Sequence, residues 1–199
     1  MSSKKRPSWR QVCVYASAVA LLLLADPRLP TFLAGCVLVG IAWLLRIWAF
    51  GHLDKNLHMV TTGPYAYTRN PAYLGSFIAM LGVALAAGNA ETPRGRLVWI
   101  LGAALAVAFF AVYLPRKFRK EYGRLERLFG SDLTRHAENV PNFWPRWTPW
   151  RSGDTRAFSW RRVTYNHEWP WGAVLAVLLV AIWCAHVWSP AARVLASGP

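Results

Sequence analysis

Five apolar runs restrict this chain's fold more than any other feature. A helix that crosses a bilayer needs roughly 20 mostly apolar residues. The runs at 9–25, 31–50, 72–88, 97–114 and 169–188 meet or approach that length. The first is short and has Arg10 near its start, a side chain long enough to snorkel to the headgroups. DPRLP separates the first two runs and NAETPRGR the third and fourth, so each pair should close as a hairpin. The expectation is an all-α, polytopic integral-membrane bundle of about five transmembrane helices. MSSKKRPSWR at the start resembles the basic flank of a signal peptide. No small-residue cleavage pattern follows, so a retained signal anchor is the better reading.

Charge tests that threading. The chain is 55% hydrophobic yet carries a formal net charge of +14. With the N-terminus in the cytoplasm, nineteen of the 23 Lys and Arg fall on the cytoplasmic side, leaving only Arg28, Arg94, Arg96 and Arg193 elsewhere. This is the positive-inside pattern, and it puts the C-terminus outside. Cys13, Cys36 and Cys184 all lie in apolar runs without a CxxC pair, so they read as small core residues rather than a disulfide or zinc framework. No metal site is expected. The stretch RKFRKEYGRLERLFG should be a helix that stops at Gly130. After it, residues 146–168 interleave Trp with Arg. Such a pattern suits nucleic acid in a soluble protein. Between spans it suits headgroups and anionic lipid, so the expected partner is the bilayer and not nucleic acid. The chain therefore divides into a membrane domain at 1–145, a basic interfacial segment at 146–168 and an additional transmembrane helix at 169–188.

The stretch GPYAYTRNPAYLG, residues 63–75, is too polar for hydrocarbon and too rich in aromatic and charged groups for a mere connector. Asn is a favoured N-cap and Pro a favoured first helical residue, so Asn70 and Pro71 should open the third span. Free N–H groups at such a start attract anions. Arg69 precedes it, Ala72 and Tyr73 lie in its first turn, and Gly63-Pro64 turns the chain so that Tyr65 and Tyr67 lie nearby. The plain alternative is a good helix start flanked by interfacial anchors.

Gly63-Pro64-Tyr65-x-Tyr67-x-Arg69-Asn70-Pro71-x-Tyr73-x-Gly75 resembles the motif of integral-membrane methyltransferases, the isoprenylcysteine carboxyl methyltransferase and phospholipid methyltransferase families. A second block follows after a transmembrane hairpin: Glu121, Leu125, Phe129-Gly130 and Val140-Pro141, then Phe143 and Pro145. The resemblance covers roughly residues 49–145. It implies a cytoplasmic site for S-adenosylmethionine and a lipophilic methyl acceptor, such as an isoprenoid, a lipid, or a lipidated carboxylate or amine. Carried over residue by residue, it implies that Leu57, His58, Met59, Val60, Tyr65, Asn70, Pro71, Ala72, Tyr73 and Glu121 hold the cofactor. Arg69 and Lys117 would serve catalysis. This chain departs from the pattern in having Tyr122 beside Glu121, Leu133 and His136 where two tyrosines are usual, and Lys117 where an arginine is usual.

The implied chemistry suits the residues. Glu121 can pair an ammonium, the helix start at Asn70 can receive a carboxylate, and tyrosine rings can face a sulfonium or an adenine. Methyl transfer needs alignment and exclusion of water more than a nucleophilic Ser or Cys, and none is arranged here. Two other functions fit parts of the pattern. A membrane reductase of the sterol-reductase type would use NADPH, and a scaffold would bind neither cofactor.

Overall fold

The computed structural model describes the chain from Trp9 to Val187, with side chains from Ser17 to Ala185. Lys4, Lys5, Arg6, Trp188 and Arg193, with the side chains of Arg10 and Cys13, lie outside the described residues. Helix α1 (Trp9–Leu24) turns at Asp26 and Pro27 into α2 (Leu29–His52). A 3-10 turn at Gly63–Ala66 precedes α3 (Pro71–Ala87), and a short turn leads to α4 (Pro93–Ala108). A π-helical turn, Phe109–Tyr113, joins α4 without a break to α5 (Leu114–Phe129). Helices α6 (Ser131–Asn139) and α7 (Trp160–Tyr165) precede α8 (Glu168–Val187). No strand occurs among the described residues.

Among the described residues, three helices are long and apolar enough to cross a membrane: α2, the continuous α4–α5 helix and α8; α3 is apolar but shorter. This is the architecture of a multi-pass helical membrane bundle. Outward-facing Leu33, Val37, Ile41, Leu44 and Trp48 form a stripe along α2, and Val174, Val177 and Val180 do so on α8. Such one-sided exposure at helical spacing is a surface made for lipid. Cys184, expected in the core, lies exposed on α8, while Cys36 is half-buried.

Helices α2 and α3 pack most closely, through small residues. A Cβ at Gly35 would stand 2.5 Å from the Gly82 carbonyl oxygen, so the two backbones touch. Close approach through glycine is a common way for helices to associate in lipid. At one end of the bundle a core of Ala25, Val39, Val83, Ala87, Val98 and Ile182 joins α1, α2, α3, α4 and α8. At the other, Leu74, Phe77, Leu114 and Phe143 gather an aromatic cluster around the π-helical turn.

The expected fourth span at 97–114 and the expected cytoplasmic helix prove to be one 37-residue helix, Pro93–Phe129. At 1.5 Å per residue it is about 55 Å long, well beyond a hydrocarbon core of about 30 Å. Its charged last third therefore projects past the apolar layer. Gly130 stops it as expected, with φ +46 and its N–H on the Glu126 carbonyl at 2.9 Å.

Candidate functional site

The C-terminal end of α2, the N-terminal end of α3 and the start of α5 converge at one end of the bundle. Between them the 53–62 loop leaves a cavity of about 440 Å³. Gly63 makes the turn into it possible: its φ is +58, and a Cβ there would meet the His52 ring at 2.5 Å. Of the residues singled out by sequence, His58, Met59, Val60, Tyr65, Asn70, Pro71, Ala72, Tyr73 and Glu121 line this cavity, with Arg69 and Lys117. Leu57 does not; it is 71% exposed in the turn after Lys55 and points away. A left-handed Asn56, φ +63, bends the chain there and turns Leu57 outward.

Glu121 and Tyr73, from the two motif blocks, meet directly. The Tyr73 hydroxyl donates to Glu121 Oε2 at 2.8 Å. Tyr73 also stands edge-on to Tyr113 and Phe118, at 6.3 and 6.0 Å between ring centroids. Tyr65 is buried, and burial pushes its phenol well above the ordinary value, with the Glu121 charge adding to the rise. It therefore presents a neutral ring. Arg69 donates to the Tyr122 hydroxyl at 3.3 Å and lies over its ring. Its Nε is buried with no partner among the described residues. Arg69 lines the cavity, and its guanidinium carries donors suited to an anionic or carbonyl ligand.

The expected role of Asn70 needs correction. It occupies the N-cap position of α3, but its side chain makes no cap bond. Its ψ of 55 is far from extended cap geometry, and its amide instead donates to Asn142, at 2.9 Å to the carbonyl and 2.8 Å to Oδ1. It belongs to a set of bonds that staples the two motif blocks together. Arg69 N–H reaches the Pro141 carbonyl at 2.9 Å, the Thr68 hydroxyl the Phe143 carbonyl at 2.9 Å, and Trp150 N–H the Ala66 carbonyl at 2.9 Å. The first part of the Trp-rich segment is thus strapped along the 3-10 turn. Its Trp147 and Trp160, with Trp144 just before it, remain exposed.

His136 supports the same loop from beneath. It is fully buried, stacks on Trp150 at 5.6 Å and donates from Nε2 to the Tyr65 carbonyl at 2.9 Å. Burial lowers its pKa, Arg69 lowers it further, and the bond to Tyr65 opposes both. It is a neutral prop for Tyr65.

Sequence reading missed Arg46, Phe50, Asp54, Ser76 and Tyr113, which also line the cavity. Arg46 alone carried a usable signal, because a charge inside an apolar span marks a site by default. Among the described residues no group of three or more His, Cys, Asp or Glu is placed to hold a metal ion.

Residues 30–121 match the phospholipid methyltransferase family model. That family is one of the two the motifs resemble, and the match supports a membrane methyltransferase. Two curated relatives align. The nickel-cobalt-cadmium resistance protein NccN of Alcaligenes xylosoxydans xylosoxydans is 29% identical over 161 residues, covering 78% of this chain and 70% of the relative. The cobalt-zinc-cadmium resistance protein CzcN of Cupriavidus metallidurans is 31% identical over 124 residues, covering 61% of this chain and 52% of the relative. No solved structure matches the chain significantly.

Proposed function

We propose, from the premise that residues 30–121 carry the phospholipid methyltransferase pattern, that this chain transfers a methyl group from S-adenosylmethionine to a lipophilic acceptor at the cytoplasmic membrane face. One observation carries the reading. Both motif blocks, far apart in sequence, line a single cavity whose volume suits a nucleoside-sized ligand. The donor set suits it as well. Glu121 offers a carboxylate to an ammonium, the Arg69 guanidinium offers N–H donors to a carboxylate, and Tyr65 and Tyr73 offer rings to a sulfonium or an adenine.

The bound cofactor supplies a methyl group on positively charged sulfur. Such a donor would need no activation by the protein, because its carbon–sulfur pair would stay on sulfur, and this chain's residues would only have to align an acceptor lone pair with it. A carboxylate acceptor then needs no base, whereas an amine must release a proton. The protein's share is alignment and dryness. Tyr73, tied to Glu121 and braced by Tyr113 and Phe118, holds one wall rigid. Lys117, one turn before Glu121, brings a cation to the mouth, where it can orient an anionic acceptor group. The acceptor arrives from lipid past Tyr113, which lines the cavity and is part-exposed beside the apolar part of the long helix.

Charge sets the orientation in this proposal: the cavity end, with its basic α5 and Trp/Arg segment, faces the cytoplasm, and the C-terminus faces outward. The relatives' names place them in resistance to nickel, cobalt, zinc and cadmium, and we take modification of the membrane in that setting as the process this chain serves. Calorimetry of the full chain in detergent is the test. S-adenosylmethionine should bind and NADPH should not, and labelled S-adenosylmethionine with a total membrane lipid extract should yield a labelled lipid. Binding of NADPH alone would make the chain a reductase, and binding of neither would make it a scaffold.

A further inference from the structure

We infer that Arg46 of α2 and Glu168 of α8 form a positioning pair that fixes one wall of the cofactor cavity, so that α8 is part of the site although it lies outside the family match. This rests on the reading of the cavity as the S-adenosylmethionine site.

The pair is bidentate and dry. Arg46 Nε meets Glu168 Oε2 at 3.0 Å and Nη2 meets Oε1 at 2.6 Å, with the side chains 11% and 3% exposed. Two charges in an apolar bundle are costly, and such groups persist where they are paired and used. The remaining Arg46 nitrogen shows the use. Nη1 donates to the Ala72 carbonyl at 3.1 Å and to the Ser76 hydroxyl at 2.7 Å, gripping the first turns of α3. Ala72, Ser76 and Arg46 all line the cavity, while Glu168 does not. Glu168 therefore acts through Arg46.

Two further features are built around the pair. Gly75 leaves room for the arginine stem to cross α3, since a Cβ there would stand 2.6 Å from Arg46 Cγ. The guanidinium lies 4.0 Å from the Trp171 ring centroid, a second hold from α8. The chain just before α8 completes the same wall. Asn166 donates to the Phe50 and Leu53 carbonyls, each at 3.2 Å, and Arg162 pairs with Asp54 at 2.8 Å. The carbonyls left open at the end of α2 are thus satisfied by the C-terminal segment. Phe50, Leu53 and Asp54 are cavity residues.

A purely structural anchor and a positioning pair differ in one measurable way. Replacing a buried ion pair by apolar residues of similar size is often neutral for stability. The double variant Arg46→Met/Glu168→Met should therefore keep its melting temperature yet lose the grip on Ala72 and Ser76. Arg46→Lys keeps the ion pair, but one ammonium cannot serve Glu168 and α3 together. Each variant, as full chain in detergent, is titrated with S-adenosylmethionine by calorimetry beside wild type and the distant surface control Arg28→Ala/Glu91→Ala. The Kd is expected to rise roughly tenfold in the double variant, the scale of losing the order that one or two hydrogen bonds give the wall. Arg46→Lys should show a smaller rise and the control none. Wild-type affinity in both Arg46 variants, or an equal rise in the control, would overturn the inference and leave the cofactor reading standing. Wild type failing to bind would overturn both.

Discussion

The turns that join α1 to α2 and α3 to α4 pair most of their polar groups with one another, Trp99 Nε1 excepted, whereas the opposite end of the bundle turns several of its polar groups toward a cavity. At the first end, the Asn89 amide donates to the Asp26 carbonyl at 2.5 Å and accepts from the N–H groups of Glu91 and Thr92 at 2.8 and 2.9 Å. Thr92 caps α4 by accepting from Gly95 N–H at 2.9 Å, and Arg94 donates to the Leu24 carbonyl at 3.0 Å and to that of Leu23. At the second end, Arg69, with its Nε unpartnered among the described residues, lines about 440 Å³ of space, and His136 Nδ1 is likewise unpartnered behind the Tyr65 loop. Satisfied polar groups hold a fold, and unsatisfied ones invite a ligand. The difference assigns stability to one end and recognition to the other.

The sharpest way to break that division is Asn89→Ala. It strips several bonds from a buried position and should cost roughly 2–4 kcal/mol, at about 1–3 for each buried group left unmet. Denaturant titration in detergent would show it, with S-adenosylmethionine affinity unchanged in the folded fraction. A loss of affinity without a loss of stability would erase the contrast. Asn70→Asp comes next. The amide bonds to Asn142 become contacts between a carboxylate and two oxygens, so about 1–3 kcal/mol of stability should go even without cofactor. A true N-cap would tolerate the change, since Asp caps as well as Asn. Glu121→Gln should do the reverse of Asn89→Ala, leaving the melting temperature within about a degree or two and weakening S-adenosylmethionine roughly tenfold, the measure of one charge-assisted bond. Equal weakening in Glu126→Gln would remove the special role of Glu121. The smallest effect is expected from His136. Burial depresses its pKa below the ordinary 6.5, so the stability it contributes is present above that value and is lost as the pH falls through its lower folded value. Thermal melts between pH 7.5 and 5 should show a fall that shrinks in His136→Gln.

Hydrophobic runs and positive charge revealed the bundle, because spanning length and loop charge are local properties of sequence. They missed the join of α4 to α5, since Leu114, Pro115 and Arg116 read as a boundary. Pro115 is tolerated because the preceding π-helical turn has already altered the backbone bonding there. The two motif blocks located most of the cavity. Asn70 shows the limit: its type and its place before Pro71 suit a cap, yet a neighbour 72 residues away takes its amide. Arg46 and Glu168 were legible only as charges in apolar surroundings, and their pairing across 122 residues is a property of packing alone.

The cavity between α2, α3 and α5 is proposed to receive S-adenosylmethionine. Ultraviolet crosslinking of the labelled cofactor to the full chain, followed by peptide mapping, tests it directly. Label should fall on peptides from 58–73 and 113–125, should saturate, and should be displaced by unlabelled cofactor. Saturable label confined to 146–187, or label that unlabelled cofactor does not displace, would contradict it.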